Sequence, residues 1–284
     1  MALFCCGRVV AQEQPDPTME EIAVSTERQN ALENESLTIS ETPDAGPHLS
    51  HMTAIVGLGA LIHPVYPGSN KTQASPFPYV DVRGLLNDRL FISDLAGIGV
   101  KILNEGLVRA GVSVNYGAGR TSSDEPRLKG LPDVKDAGQV NGYIALALSP
   151  VVFEAKVQQR LGSGSGTTAS FGASYNLAPL QKLHLSLSAD VTWANASYQK
   201  TFFGITPADA AAATAQGNPL PAYTPGSGVT EAALAAAGVY QIGRHWGVIG
   251  RIGLNDLVGS SAKNSPLTQR NFAPSFALGA AYMF

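Results

Sequence analysis

The sequence predicts an all-β fold: a closed antiparallel transmembrane β-barrel of about twelve strands, preceded by a disordered N-terminal segment. Three observations predict it. After residue 50, apolar residues alternate one by one with small or polar ones, the period of a strand whose two faces meet different surroundings. No run approaches the roughly 20 consecutive apolar residues that a membrane-spanning helix needs. Only 14% of residues are charged and 30 are Gly, whereas an average soluble chain is about 25% charged. A sheet with a hydrated outer face would need more charge than this.

The first 50 residues have a different character. Residues 1–11 read as the remnant of a signal peptide, with Val9-Val10-Ala11 as an acceptable small-residue cleavage site. Cys5 and Cys6 are the only cysteines, too few for a metal cage and poorly placed for a structural disulfide. Residues 12–50 are rich in Glu, Thr, Ser, Pro and Asn; nine acids (Glu13, Asp16, Glu20, Glu21, Glu27, Glu33, Glu35, Glu41 and Asp44) face one base, Arg28. Such a segment buries too little apolar surface to offset its ordering entropy, so disorder is expected there. The remaining charge is slightly positive and dispersed, which excludes the clustered Lys and Arg of a nucleic-acid binder.

From residue 51 to 284 the alternation predicts twelve strands, near 52–63, 77–85, 88–94, 97–103, 106–116, 137–149, 151–159, 167–177, 181–194, 228–241, 244–257 and 271–284. The ninth shows the pattern most cleanly. Leu183, Leu185, Leu187, Ala189, Val191 and Trp193 share one face, and His184, Ser186, Ser188, Asp190 and Thr192 share the other. Most of the segments have the ~9–11 residues that cross a bilayer as a tilted strand. Because the non-apolar faces are mostly Ser, Gly, Ala and Asn, the apolar faces are expected to meet lipid and the small polar faces to line the interior. Leu183, Leu185, Leu187, Val191, Phe276, Leu278 and Tyr282 belong to the expected outward set.

The connections alternate as well. Tight turns are expected at Leu86-Asn87, Asn104-Glu105, Pro150, Ala178-Pro179-Leu180 and Gly243. Long or flexible loops are expected around 64–76, 117–136, 195–227 and 258–270. Short turns on one rim and long loops on the other characterise outer-membrane barrels. Within the longest loop, Thr206 followed by Pro207 and an Ala-rich stretch predicts a short helix, with a capping hydroxyl and a proline in its first turn. Gly162 to Gly166 precedes a strand rather than a helix, so it reads as a hairpin loop and not as a phosphate cradle.

Several segments resemble the opening and loops of the MipA/OmpV family of outer-membrane proteins: Gly57-Leu58-Gly59, Pro64-Val65-Tyr66-Pro67-Gly68-Ser69 and Pro76-Phe77-Pro78. Leu128-Lys129-Gly130-Leu131-Pro132-Asp133-Val134 also resembles it, with Pro132 departing from the family's Gly-Leu-Gly-Asp run. Phe203-Gly204-Ile205-Thr206, Leu220-Pro221-Ala222-Tyr223 and Ser265-Pro266 follow in the right order. The resemblance spans about residues 52–284. It implies a bacterial outer-membrane location and a scaffold that links a murein hydrolase, a membrane-bound lytic transglycosylase, to a bifunctional penicillin-binding murein synthase. A passive small-solute channel and a surface adhesin are the alternatives. Fold transfers across such a family more firmly than function does.

No catalytic, cofactor or metal site is expected. His48 and His51 have no acid or Cys at ligand spacing. His184, Ser186 and Asp190 share a strand face, but residues two apart point in parallel about 6.6 Å apart, which does not make a nucleophile–base contact. His184 and His245 are expected on the lumen face near the periplasmic rim. Asp81 with Arg83, and Glu154 with Lys156, alternate onto single faces and are the expected lumen charges. Tyr282 and Phe284 close the last strand and resemble the C-terminal signal by which outer-membrane barrels are recognised for assembly.

Overall fold

The computed structural model describes residues 53–93, 97–162, 164–180 and 182–284; the signal remnant and the acidic segment expected over 12–50 lie outside the described residues. Twelve strands form: β1 (Thr53–Pro64), β2 (Thr72–Leu85), β3 (Leu90–Ser93), β4 (Gly97–Glu105), β5 (Val108–Gly117) and β6 (Ala137–Leu148), then β7 (Val151–Arg160), β8 (Gly166–Leu180), β9 (Leu183–Ala194), β10 (Gly228–Gln241), β11 (Trp246–Leu257) and β12 (Phe272–Met283). Each pairs antiparallel with its sequence neighbours, and β12 pairs with β1 from Ile55↔Met283 to Ile62↔Phe276, which closes the barrel. Closure removes the unpaired edge that an open sheet could not tolerate in lipid.

The period of two becomes an inside and an outside. On β7, Val152, Glu154, Lys156, Gln158 and Arg160 are buried, while Phe153 and Val157 are exposed. Around the wall Leu58, Ile98, Val114, Ile144, Phe171, Leu234, Ile252 and Leu278 face outward and exposed. A contiguous apolar belt of this extent far exceeds the few hundred Å² that a soluble monomer leaves in water. It is a lipid-facing surface. Of the expected outward set, Leu187, Val191, Phe276 and Leu278 are exposed, and Leu183, Leu185 and Tyr282 are half-buried by neighbours on the same face. Leu185, for example, lies across Gly238, where an added Cβ would meet its Cδ2 at 2.7 Å.

Leu187 pairs with Tyr175 and Ala236 near the middle of β9. Replacing it with Arg is expected to cost about 2–4 kcal/mol, the range for a cation at the bilayer midplane. Denaturant unfolding in lipid vesicles measures this, and an unchanged midpoint would contradict the outward placement.

The boundaries differ from expectation in places. β2 begins at Thr72 rather than near 77, although Pro76 and Pro78 lie within it. Its partner β3 pairs with it at Asp81, Val82 and Leu85, so among the described residues the proline-bearing half of β2 has β1 alone as a paired neighbour. A strand with one free side accommodates residues that lack an N–H. Asn104 and Glu105 remain in β4 and the turn moves to Gly106-Leu107 because a register shift between Lys101 and Leu103 adds a residue. That bulge leaves both Ile102 and Leu103 facing out. Ala178-Pro179-Leu180 likewise belongs to β8.

The loops of the opposite rim carry short helices: α1 (Ala196–Phe203), α2 (Pro207–Ala215) and α3 (Ser260–Lys263). α2 starts as its sequence predicts. The Thr206 side chain accepts from the Asp209 N–H at 3.1 Å, and the Asp209 carboxylate accepts from the Thr206 N–H at 3.1 Å. This reciprocal cap satisfies two N-terminal donors. α1 was not expected; Asn195 caps it by accepting from the Tyr198 N–H at 2.9 Å.

Candidate functional site

Across its middle the lumen is packed with side chains, and a cavity of about 290 Å³ remains at its extracellular end beside Leu61, Glu231, Asn255 and Ser275. Inward side chains from most of the strands are nearly inaccessible to water, among them Asp81, Lys101, Arg109, Asn141, Glu154, Lys156, Gln158, Ser174, Asp190 and Arg251. Small residues make room for large ones. An added Cβ on Gly111 would stand 2.5 Å from the Tyr143 hydroxyl, and one on Gly99 would overlap the Phe91 ring. Toward the periplasmic end Ile55, Tyr79, Val239, Ile249, Ala281 and Met283 pack together inside five neighbouring strands.

The strand register places the lumen charges in two adjacent rows. One row runs Arg109, Ala145, Glu154, Gly172, Asp190 and Ala233 across β5 to β10. The next runs Lys101, Gly111, Tyr143, Lys156 and Ser170 across β4 to β8. Acids and bases thus share one band of wall, with Ala and Gly between them leaving space for long side chains to approach. A buried charge needs such company, since burying it alone costs far more than a hydrogen bond returns. Of the four lumen charges expected from sequence, Glu154 and Lys156 stand in these rows. Asp81 is buried on β2, five strands from β7, beside Ile55 in the register. Arg83 pairs through its backbone with Thr53, and its side chain lies outside the described residues. The four do not form one row. Lys101, Arg109, Asp190 and Arg251 join Glu154 and Lys156 as buried lumen charges, and the same inward alternation marks each of them in the sequence.

Over the extracellular rim the long loops pack into a cap with its own small core: Tyr66, Leu128, Leu131, Ile205, Ala213, Leu220 and Leu267. A second cluster, Phe202, Phe203, Leu257 and Ala262, ties α1 and α3 to the top of β11. Glu125 is buried at the crossing of three loops. Its Oε2 accepts from the Ser69 hydroxyl at 2.6 Å and its Oε1 from the Gln269 amide at 2.7 Å. The Tyr66 hydroxyl donates to the Leu267 carbonyl at 2.9 Å, and burial pushes this phenol up from its ordinary pKa, so it stays a donor. Arg160 at the end of β7 donates to the Lys135 carbonyl at 2.6 Å and lies over the Phe202 ring at 5.4 Å. These contacts anchor the cap to the wall.

At the other rim the chain ends in an aromatic cluster on the outer surface. Tyr282 meets Trp246 and Phe284 edge-on, with centroids 5.1 and 4.9 Å apart. His245 does not enter the lumen as expected. It lies in the β10–β11 turn and stacks on Tyr282 at 5.5 Å, where its Nδ1 is 3.0 Å from the Met283 carbonyl. The strand begins at Trp246 rather than at 244, two residues later than expected, which takes His245 out of the strand's two-faced pattern. His184 keeps its inward place opposite Val239.

A closed twelve-strand barrel with an apolar exterior, short turns on one rim and a loop cap on the other is an outer-membrane β-barrel, and this chain resides in the outer membrane. It belongs to the MipA family: the family model described as MltA-interacting protein MipA matches residues 56–284. No curated protein matches the chain. Among solved structures it is similar to a KdgM porin, at 5% identity and a TM-score of 0.39, over 81% of this chain and 99% of that one. It is also similar to the translocator domain of autotransporter NalP from Neisseria meningitidis, at 10% identity and a TM-score of 0.42, over 90% of this chain and 94% of that one.

Proposed function

We propose that the chain is a non-catalytic outer-membrane scaffold that binds a murein hydrolase of the lytic transglycosylase class and, beside it, a penicillin-binding murein synthase. The family's description as MltA-interacting supports the first partner. The observation that carries the scaffold reading is the filled lumen: a rigid barrel packed with side chains and covered by a bonded cap offers surfaces rather than a passage. A passive channel would need the inward charges of β5 to β9 to be wet, and they are buried.

Cross-linking in intact envelopes followed by pull-down of the barrel tests the partners, and a lytic transglycosylase is the expected capture. Planar-bilayer recording of the purified protein tests the filled lumen, with no steady conductance expected. Large, ion-selective steps together with no captured murein enzyme would replace the scaffold with a channel.

A further inference from the structure

We propose that the extracellular cap contains a binding site for a small oxyanion, a carboxylate or phosphate attached to a compact apolar body, with Arg120 as its anchor. The site is a cavity of about 420 Å³ between the β5–β6 loop, α1 and the start of α2. Arg120 and Lys200 supply its cationic lining, Thr201 and Thr224 supply hydroxyls, and Leu131, Pro132 and Ile205 supply apolar wall.

Arg120 is the unusual member. Its backbone is fixed by a two-way bridge to Val134, with N–H···O distances of 2.9 Å in both directions. Its side chain is only 6% exposed, and its Nε and Nη1 are sealed from solvent without a hydrogen-bond partner, so a ligand in the cavity pairs with them only as the guanidinium turns toward it. Guanidinium carries five donors in a planar fork and does not give up its proton, so an incompletely bonded buried Arg is costly unless an anion joins it. The two carboxylates lining the cavity are already engaged elsewhere. Asp209 accepts from the Thr206 N–H and hydroxyl, and Asp133 accepts from the Ser122 N–H at 2.6 Å. Burial, rather than these acids, is the dominant influence on Arg120, and it lowers the guanidinium pKa from its ordinary value. A carboxylate or phosphate matches the planar fork of Arg by geometry, and the apolar wall favours a ligand with a hydrocarbon face over a bare ion.

Isothermal titration of the full chain in detergent, at constant ionic strength, tests the site with benzoate in one arm and inorganic phosphate in the other. Saturable binding to a single site is expected in at least one arm, and which arm distinguishes a carboxylate ligand from a phosphate one. Arg120→Gln is expected to weaken it at least tenfold. Lys200→Gln, on the exposed side of α1, is expected to weaken it severalfold without disturbing the cap, so the test survives if the Arg120 variant loosens its loop. Lys263→Gln on α3, outside the cavity lining, is expected to bind as the parent does. Absence of saturable binding in both arms, or binding that neither Arg120→Gln nor Lys200→Gln weakens, would overturn the proposal.

Discussion

Replacing Glu125 with Ala is expected to open the extracellular cap while leaving the barrel folded. Glu125 is where three loops meet: Ser69 comes from the β1–β2 loop, Glu125 from the β5–β6 loop and Gln269 from the β11–β12 loop. Each hydrogen bond to a charged acceptor contributes about 1.5–3 kcal/mol, so losing both should cost the closed cap about 3–6 kcal/mol. Ser69 can re-pair in part, since its hydroxyl also reaches the Lys71 carbonyl at 3.3 Å. Gln269 keeps the Tyr66 hydroxyl at 3.1 Å. These fallbacks place the expected cost at the lower end of that range. Even so, about 3 kcal/mol corresponds to roughly a hundredfold rise in the open population, and proteolysis of a transiently opened segment follows that population.

Limited proteolysis of the protein in detergent or nanodiscs should therefore show cleavage within 118–136 and 195–227 rising by about that factor. The heat resistance of the barrel should barely change, because the strand ladders contain none of these three side chains. Glu125→Gln retains one acceptor oxygen and should give an intermediate rate. Equal cleavage rates for the parent and Glu125→Ala would show that the apolar cluster around Tyr66 and Leu128 holds the cap alone.

The barrel was legible in the sequence because lipid on one side and packed polar side chains on the other impose a period of two over ten or more residues. Leu183 to Trp193 carries that signal without interruption, and β9 falls where it says. The strand count followed from the same rule. The start of β2 is less legible: the expected strand begins near 77, whereas the ladder runs back through Pro76 to Thr72, where β2 pairs with β1. α1 left no readable trace: Ala196-Ser197-Tyr198-Gln199-Lys200-Thr201-Phe202-Phe203 has no clean helical stripe, and its helix is held by Asn195 and by packing against α3. The cap was illegible for a different reason. Tyr66, Leu128, Leu220 and Leu267 are single apolar residues in polar, Pro- or Gly-rich surroundings, separated by up to two hundred positions. No local pattern announces a cluster whose members meet only once the barrel brings its loop ends together. Arg120 and Glu125 lie in that same region, so the groups with the most unusual surroundings fell where periodicity has least to say.

Removing Phe284 is expected to leave barrel protein accumulating unassembled in the periplasm, while refolding of the purified chain into detergent changes little. In the folded barrel the residue makes two modest contributions. Its N–H donates to the Ala54 carbonyl at 3.0 Å across the β12–β1 seam, and its ring rests edge-on against Tyr282. The hydrogen bond contributes about 1 kcal/mol. Full burial of such a ring would contribute about 1.5–3 kcal/mol, and this ring is 68% exposed to the surrounding lipid. A loss of that size cannot stop a twelve-strand barrel from forming. A large defect confined to cells would therefore have to arise before the fold is complete, when an aromatic terminus on an alternating strand is read as an assembly signal. Phe284→Ala separates the two contributions, because it keeps the seam hydrogen bond and removes only the ring. If the ring is the signal, Phe284→Ala should fail in cells nearly as badly as the deletion and refold in detergent like the parent. Normal delivery of Phe284→Ala to the outer membrane would reduce Phe284 to one more interfacial aromatic beside Trp246 and Tyr282. In that case the deletion's effect in cells should shrink to match its small effect in detergent.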